Sequence, residues 1–502
     1  MKTPFLSIAV LAALSCSAAS AQEAPSATSN AWSQQAENAL AVRKAQKLNK
    51  KRAKNVILFV GDGLDPTTVA AARIFDGQSR GEDGEENYLY FETFPYVAYS
   101  KTYTTDFQVA DSAGTASAMM TGVKTRSGVL SITGDAPHGD CEAALAHQAT
   151  TLAELAKSAG LSVGVVSTAE ITHATPGAVY AHAGNRDWAA DSDMPDEVKA
   201  AGCKDIASQL LEFPYGGGVD LAFGGGRRKF LPSTMADPEY PEAVGRRGDG
   251  RDLTAEWAAK SENHRYVWNK TDFDAAPATS KLLALFEYSH MQFEADRAGD
   301  GAGEPSLAEM TAKAISMLSS DKDGYFLMVE AGKIDHAHHA GNAYRALTDT
   351  QAYAEAVRTA RAMTSERDTL IIVTADHGHT LVFQGYPKKG NPILGVVKVE
   401  NEAGETVVYP AGDEKPYTTL GYANGPGTIF DGKADLGKGR PALTEEEALA
   451  KDYRQQALIP TGGETHGGQD VPVYASGPRA YLLSGVIEQN YIFHVMKDAL
   501  GL

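Results

Sequence analysis

Positive charge is what this chain most lacks. Its 46 Lys and Arg stand against 64 Asp and Glu, a formal net charge of −18 over 502 residues, which argues against a nucleic-acid backbone as the main partner because that interface needs a basic stripe. An anionic substrate must then be attracted by something local, and bound cations are the obvious source. Long apolar runs are missing after the N-terminal stretch, so nothing reads as a membrane span. Internal repeats are missing too, and no low-complexity tract stands out beyond the N-terminal arm. Cysteine is scarce, with 3 in the chain.

What is present begins with Met1–Ala21: Lys2, an apolar run from Phe5 to Leu14, and Ala19-Ser20-Ala21 before Gln22. This is the pattern of a secretory signal peptide. Lipidation at Cys16 is the alternative, against which Ala13-Leu14-Ser15 makes a poor lipobox. Export to the periplasm or beyond the cell is expected. Cys141 and Cys203 remain after cleavage, an even number in an exported chain, and read as one disulfide; two separate buried thiols are the other reading. Asn269-Lys270-Thr271 is a glycosylation acceptor only in a host that uses it.

Residues 22–50, rich in Ala, Gln, Ser and Lys, read as an arm with a helical stretch outside the core. The run Asn55–Val60 is continuously apolar, as in a strand buried on both faces of a parallel sheet, and Ser162–Ser167, Tyr325–Val329 and Thr369–Thr374 read alike. Helical patterns lie between them near 150–159, 306–320 and 343–363. This alternation predicts an α/β fold with a central, mostly parallel sheet sandwiched by helices. Asp62, Glu330 and Asp376-His377 each fall at or just past a strand's carboxyl end, the edge where open α/β sheets bind ligands. Two insertions are expected, an acidic irregular one at 236–305 and a Gly/Pro/Lys-rich one at 385–455.

Ser112 opens the small-residue run Ser112-Ala113-Gly114-Thr115-Ala116, able to start a tightly packed helix whose free N–H groups and dipole favour negative charge beside the hydroxyl. In Ile334-Asp335-His336-Ala337-His338-His339, Asp335 and His339 share a helix face and suit a zinc ion; solvated histidines at a polar helix start are the competing reading. Asp376-His377 after a buried strand can reach a metal if the backbone turns at Gly378. His466 sits among glycines in Gly462-Gly463-Glu464-Thr465-His466-Gly467-Gly468, which suits either a close approach to a site or a surface loop.

Taken together, these blocks resemble the alkaline phosphatases, closer to the animal enzymes than to the enteric bacterial one. The motifs are Val60-Gly61-Asp62-Gly63, Asp111-Ser112-Ala113, Thr172-His173-Ala174-Thr175-Pro176, Asn185-Arg186-Asp187-Trp188, Val329-Glu330-Ala331-Gly332-Lys333-Ile334-Asp335-His336, Thr374-Ala375-Asp376-His377 and Glu464-Thr465-His466. The resemblance covers nearly all of residues 51–502. It implies hydrolysis of phosphate monoesters, of broad specificity, through a phosphoserine on Ser112. It also implies one zinc on Asp335, His339 and His466, a second on Asp62, Asp376 and His377, and a magnesium on Asp62, Thr175 and Glu330. Three divalent cations and Arg186 then outweigh four carboxylates and a serine alkoxide, which answers the charge problem. Arg186 would grip two phosphate oxygens, while His173 and His336 would act through water from behind the first ligands. His379 is read as a structural neighbour rather than a ligand.

The resemblance also implies a calcium site in the first insertion, on Glu239, the Phe286 carbonyl, Glu287 and Glu304, and a homodimer through the crown-like second insertion. It does not carry the lipid anchor of the animal enzymes, because Asn490–Leu502 reads as a helix-like tail. Other classes fare worse. A phosphodiesterase needs room for a second ester where Arg186 stands, and a sulfatase needs a nucleophile motif with Pro and Arg that Asp111-Ser112-Ala113-Gly114 lacks. A non-catalytic phosphate- or calcium-binding protein predicts affinity without turnover, although every catalytic position is intact.

Overall fold

A computed structural model describes residues 31–427 and 440–502; the expected signal peptide, with Cys16, lies outside them. Two compact units divide after Lys47. In the first, Ala31–Ala45 is a helix with Arg43 and Lys44 in its last turn, where cations complement the helix dipole.

The second unit carries a ten-stranded sheet. Its strands are β1 (Asn55–Gly61), β2 (Tyr96–Lys101), β3 (Ser162–Glu170), β4 (Leu221–Gly225), β5 (His264–Val267), β6 (Lys281–Leu285), β7 (Tyr325–Ala331), β8 (Thr369–Ala375), β9 (Val471–Ser476) and β10 (Gly485–Glu488). They lie in the order β10-β2-β9-β8-β1-β7-β3-β4-β6-β5. Only β9 opposes the common direction, antiparallel to β8 and β2.

The apolar run in β1 is explained by its position between β7 and β8, with both faces covered. Val56, Leu58 and Val60 enter a core shared with helices Ser112–Thr121, Leu152–Ser158 and Tyr491–Leu500. Ile57 and Phe59 enter the opposite core, with helices Pro66–Ser79, Leu307–Leu318 and Ala343–Met363. Alternation along one strand thus feeds two helical layers. Local chemistry sets the helix starts: Asp65 caps the helix that begins at Pro66, and Ser306 with Glu309 forms a capping box.

Residues 236–305 depart from the irregular lobe expected of them. They supply β5 and β6 to the sheet, besides helices Leu253–Ala259 and Lys270–Ala275. The strand Lys281–Leu285 is apolar and buried beyond its first residue, but it is short and set in an acidic context that hid it. Between 385 and 455, Lys398–Glu400 pairs with Thr406–Val408, and Leu420–Gly425 bridges Leu381–Phe383 and Ala457–Pro460. Cys141 and Cys203 are joined, with Cα atoms 5.9 Å apart, so the bridge rather than two thiols is formed. Among the described residues, no helix is long and apolar enough to cross a membrane.

Candidate active site

Four adjacent strands, β8-β1-β7-β3, deliver the polar residues to one edge. Asp62 follows β1, Asp376 and His377 follow β8, Glu330 lies in β7, and the turn after β3 leads to His173 and Thr175. Helix Lys333–His339 after β7 carries Asp335 and His339. His466 arrives from far along the chain, fixed by antiparallel pairing of His466–Gly467 with Gly378–His379.

Ser112 is the first residue of helix Ser112–Thr121, whose cap Asp111 accepts the Gly114 N–H. Its Oγ lies 3.1 Å from His377 Nε2. That nitrogen is 3.4 Å from Asp62 Oδ1 and 3.2 Å from Asp376 Oδ2. The His377 ring stacks on His466 with centroids 3.6 Å apart, so the two carboxylate–imidazole groups are neighbours.

In the second group, Asp335 Oδ1 is 3.2 Å from His339 Nε2 and 3.3 Å from His466 Nε2. His339 Nδ1 faces the Glu464 carbonyl and His466 Nδ1 the Ala110 carbonyl. A carbonyl only accepts, so each Nδ1 carries the proton and, in the neutral ring, each Nε2 turns a lone pair inward. Those two Nε2 atoms are 3.1 Å apart. Two lone pairs cannot satisfy one another, but a shared cation satisfies both.

The buried oxygens make the same demand. Both carboxylate oxygens of Asp62, Asp376 Oδ2, Glu330 Oε1 and Thr175 Oγ1 are buried without a hydrogen-bond partner. An unpaired buried carboxylate costs several kcal/mol, so these residues fit divalent cations. Burial, reinforced by Asp376, Asp335 and Glu330, holds Asp62 well above the ordinary carboxylate range. Burial also pushes Glu330 up to about 7, opposed by the hydrogen bond from Ser167. The donor atoms fall into compact groups, among them Asp62 with Asp376 and His377, and Asp62 with His173 and Glu330.

Arg186 reaches Asp111 Oδ2 with Nη1 at 3.0 Å and His173 Nε2 with Nη2 at 3.1 Å. A guanidinium only donates, so both partners accept and together fix its plane. His336 packs beside His173, with ring centroids 5.8 Å apart.

Three residues here were given no chemical role from sequence. Asp111 both caps the Ser112 helix and holds Arg186; its place before a small-residue helix was the available signal. His379 lies between Asp335 and Glu464. Although burial opposes its charge, those carboxylates raise His379 to about 10. Carboxylates accept, so His379 donates to both Asp335 and Glu464 and braces the one against the other. Glu464 also accepts from the Thr380 N–H and hydroxyl, which anchors the loop before His466.

In the first insertion, Glu239 and Glu287 come together with Asp300, a residue not named from sequence. Glu304 accepts the Gln292 N–H with Oε1 at 2.8 Å and keeps a buried, unpartnered Oε2, as Asp300 keeps its Oδ2. Arg227 donates to Asp237, Glu239 and the Phe286 carbonyl. Burial raises Glu239 to about 7 against the pull of Arg227, with Glu287 adding to the rise.

A serine at a helix start, facing imidazoles and carboxylates with buried unpartnered oxygens on the carboxyl edge of a parallel sheet, defines a metal-dependent hydrolase. Comparison with known proteins specifies which. The family model for alkaline phosphatase matches residues 53–502, and the chain belongs to that family, whose members are phosphoric monoester hydrolases. It is 43% identical over 478 residues to the tissue-nonspecific alkaline phosphatase of Mus musculus, across 93% of this chain and 88% of that one. It is 42% identical over 479 residues to an alkaline phosphatase of Gadus morhua, across 94% and 96%. Among solved structures, Thermus thermophilus alkaline phosphatase superposes with a TM-score of 0.63 at 25% identity, covering 91% of this chain and 93% of that one.

Proposed function

We propose that this chain hydrolyses phosphate monoesters through a phosphoserine on Ser112. The observation that carries the reading is Ser112 Oγ, 3.1 Å from His377 Nε2 at a helix N-terminus, beside buried carboxylate oxygens of Asp62 and Asp376 that have no hydrogen-bond partner. Asp335, His339 and His466 would hold one zinc, and Asp62, Asp376 and His377 a second. Asp62, Thr175 and Glu330 would hold magnesium, which prefers oxygen ligands. When bound, such ions lower the pKa of hydroxyl and water and neutralise charge on the reacting oxygens.

Ser112 Oγ attacks phosphorus, forming the Oγ–P bond as the P–O bond to the alcohol breaks; the alcohol leaves with a proton. Water then adds to phosphorus, the Oγ–P bond breaks, Ser112 recovers a proton and inorganic phosphate departs. Through both displacements Arg186 holds two phosphate oxygens in its fork, and the N-terminus of the Ser112 helix favours the charge on Oγ. His173 and His336 orient water around this shell. Positioning and electrostatics carry the reaction, and because the alcohol stays in solvent, many monoesters fit.

Glu239, the Phe286 carbonyl, Glu287 and Glu304 would hold calcium, with Asp300 beside them as a further oxygen donor. A homodimer through 385–455, and export by Met1–Ala21, complete the reading. The test is hydrolysis of a chromogenic phosphate monoester against its diester, before and after chelation. Monoester turnover abolished by chelation and restored by zinc plus magnesium supports the reading. Diester preference, or no turnover with both metals present, refutes it. Light scattering of the mature protein checks the dimer.

A further inference from the structure

Three imidazoles from separate parts of the chain meet beside Arg186, and the mechanism above uses only two. The third, His290, lies in the segment after β6. Its ring centroid is 4.3 Å from that of His336 at an interplanar angle of 75°, and 5.5 Å from that of His173 at 84°. The rings of His173 and His336 meet at 80°. Each ring turns an edge toward its neighbours, the favoured aromatic geometry, so none can rotate without displacing another.

The backbone holds His290 in turn. Its Nδ1 accepts the Glu170 N–H at 3.1 Å, which leaves the ring's proton on Nε2. Around it, the Met291 N–H donates to Thr168 O at 3.1 Å and the Gly226 N–H to Ser289 O at 2.6 Å. Ser289 Oγ donates to Glu170 Oε1 at 2.8 Å. Residues 289–291 are therefore stitched to the end of β3. The Glu170 carbonyl accepts the His173 N–H at 2.8 Å, and His173 Nε2 accepts from Arg186 at 3.1 Å. A continuous line of hydrogen bonds runs from His290 through one residue's backbone to the ring that orients the guanidinium.

We propose that His290 is a positioning residue for phosphate recognition: it fixes the turn that carries His173 and the pitch of the His173 ring, and so the plane of the Arg186 fork. The inference rests on the reading that Arg186 grips the phosphate group. His290→Phe keeps a ring and removes the acceptor, whereas His290→Asn offers an oxygen to the Glu170 N–H. Losing one neutral hydrogen bond in this line should raise KM and weaken inhibition by inorganic phosphate roughly two- to tenfold, with kcat less affected.

The Asn variant should recover most of that loss. In an Arg186→Ala background, His290→Phe should add nothing further, because coupled residues are not additive. If Arg186→Ala alone leaves phosphate inhibition unchanged, the arginine reading falls and this one with it. If Arg186→Ala weakens phosphate but His290→Phe does not, or weakens it equally in both backgrounds, only this inference is overturned. Should the Phe variant fail to fold, His290→Ala against His290→Asn reads the same contrast.

Discussion

Removing the Cys141–Cys203 bridge tests how the site is braced. The bridged residues are 62 apart in sequence, and the loop between them holds β3, His173, Thr175 and Arg186. Closing a loop of that length removes chain entropy worth about 4 kcal/mol from the unfolded state. Spread over the entropy of unfolding a unit of this size, at about 2 cal/mol/K per residue, the loss should lower Tm by roughly 4 °C. Replacing both cysteines by Ala, beside the parent protein with and without reductant, gives the measurement by thermal scan. Hydrolysis at room temperature should persist, because the sulfur atoms contact the Val198 and Cys141 carbonyls and not the residues around Ser112. A double variant that melts with the parent would refute the entropy argument, and one that loses activity while fully folded would refute the separation of bridge from site.

Ser112→Ala should keep its metals and lose roughly three orders of magnitude or more of turnover; phosphoenzyme trapped with labelled phosphate in that variant would rule out Ser112 as nucleophile. Asp62→Asn should lower bound zinc and magnesium together, and near-normal metal content by elemental analysis would refute its sharing between two ions. Against burial, Lys101 and Lys124 hold Glu488 at about 2, below its ordinary 4.5. Its contribution to stability is therefore full above about pH 4.5 and lost as pH falls toward 2, because its pKa is lowered by folding. The difference in denaturant midpoint between the parent and Glu488→Gln should follow that window, and a constant difference across it would show that the pairing is not responsible. At Gly63, with φ +73°, an added Cβ would lie 2.3 Å from the His379 ring, so Gly63→Ala should lose activity and zinc together.

Much of the architecture was readable because its strands are buried on both faces. Asn55–Val60 could be picked out as a continuous apolar run, and it lies in the middle of the sheet. The outer strands were not: β2 exposes Val97 and Tyr99, and β10 exposes Val486, so neither shows an unbroken apolar pattern. Burial of polar groups limited the site reading in another way. The cluster of Asp62, Glu330 and Asp376 could be inferred from strand ends, but His379 and Glu464 sit among histidines and carboxylates whose pairing only tertiary geometry decides. Glu304 was placed by its Pro305-Ser306 context, whereas nothing in the sequence singles out Asp300, which follows the turn at Arg297–Gly299 and meets Glu239 and Glu287 only in the folded chain.

The lone antiparallel strand has a consequence for when the enzyme can work. β9 follows the segment that sets His466 against Ala110, 356 residues away in the chain, so the donor set around Asp335 is complete only when the last part of the polypeptide has folded back across the sheet. A growing or truncated chain holds Ser112, Asp62 and Arg186 and still lacks that imidazole. On the proposed assignment of His466 as a ligand, cation capture is coupled to the folding of the C-terminal region, and a chain without that region holds an incomplete centre.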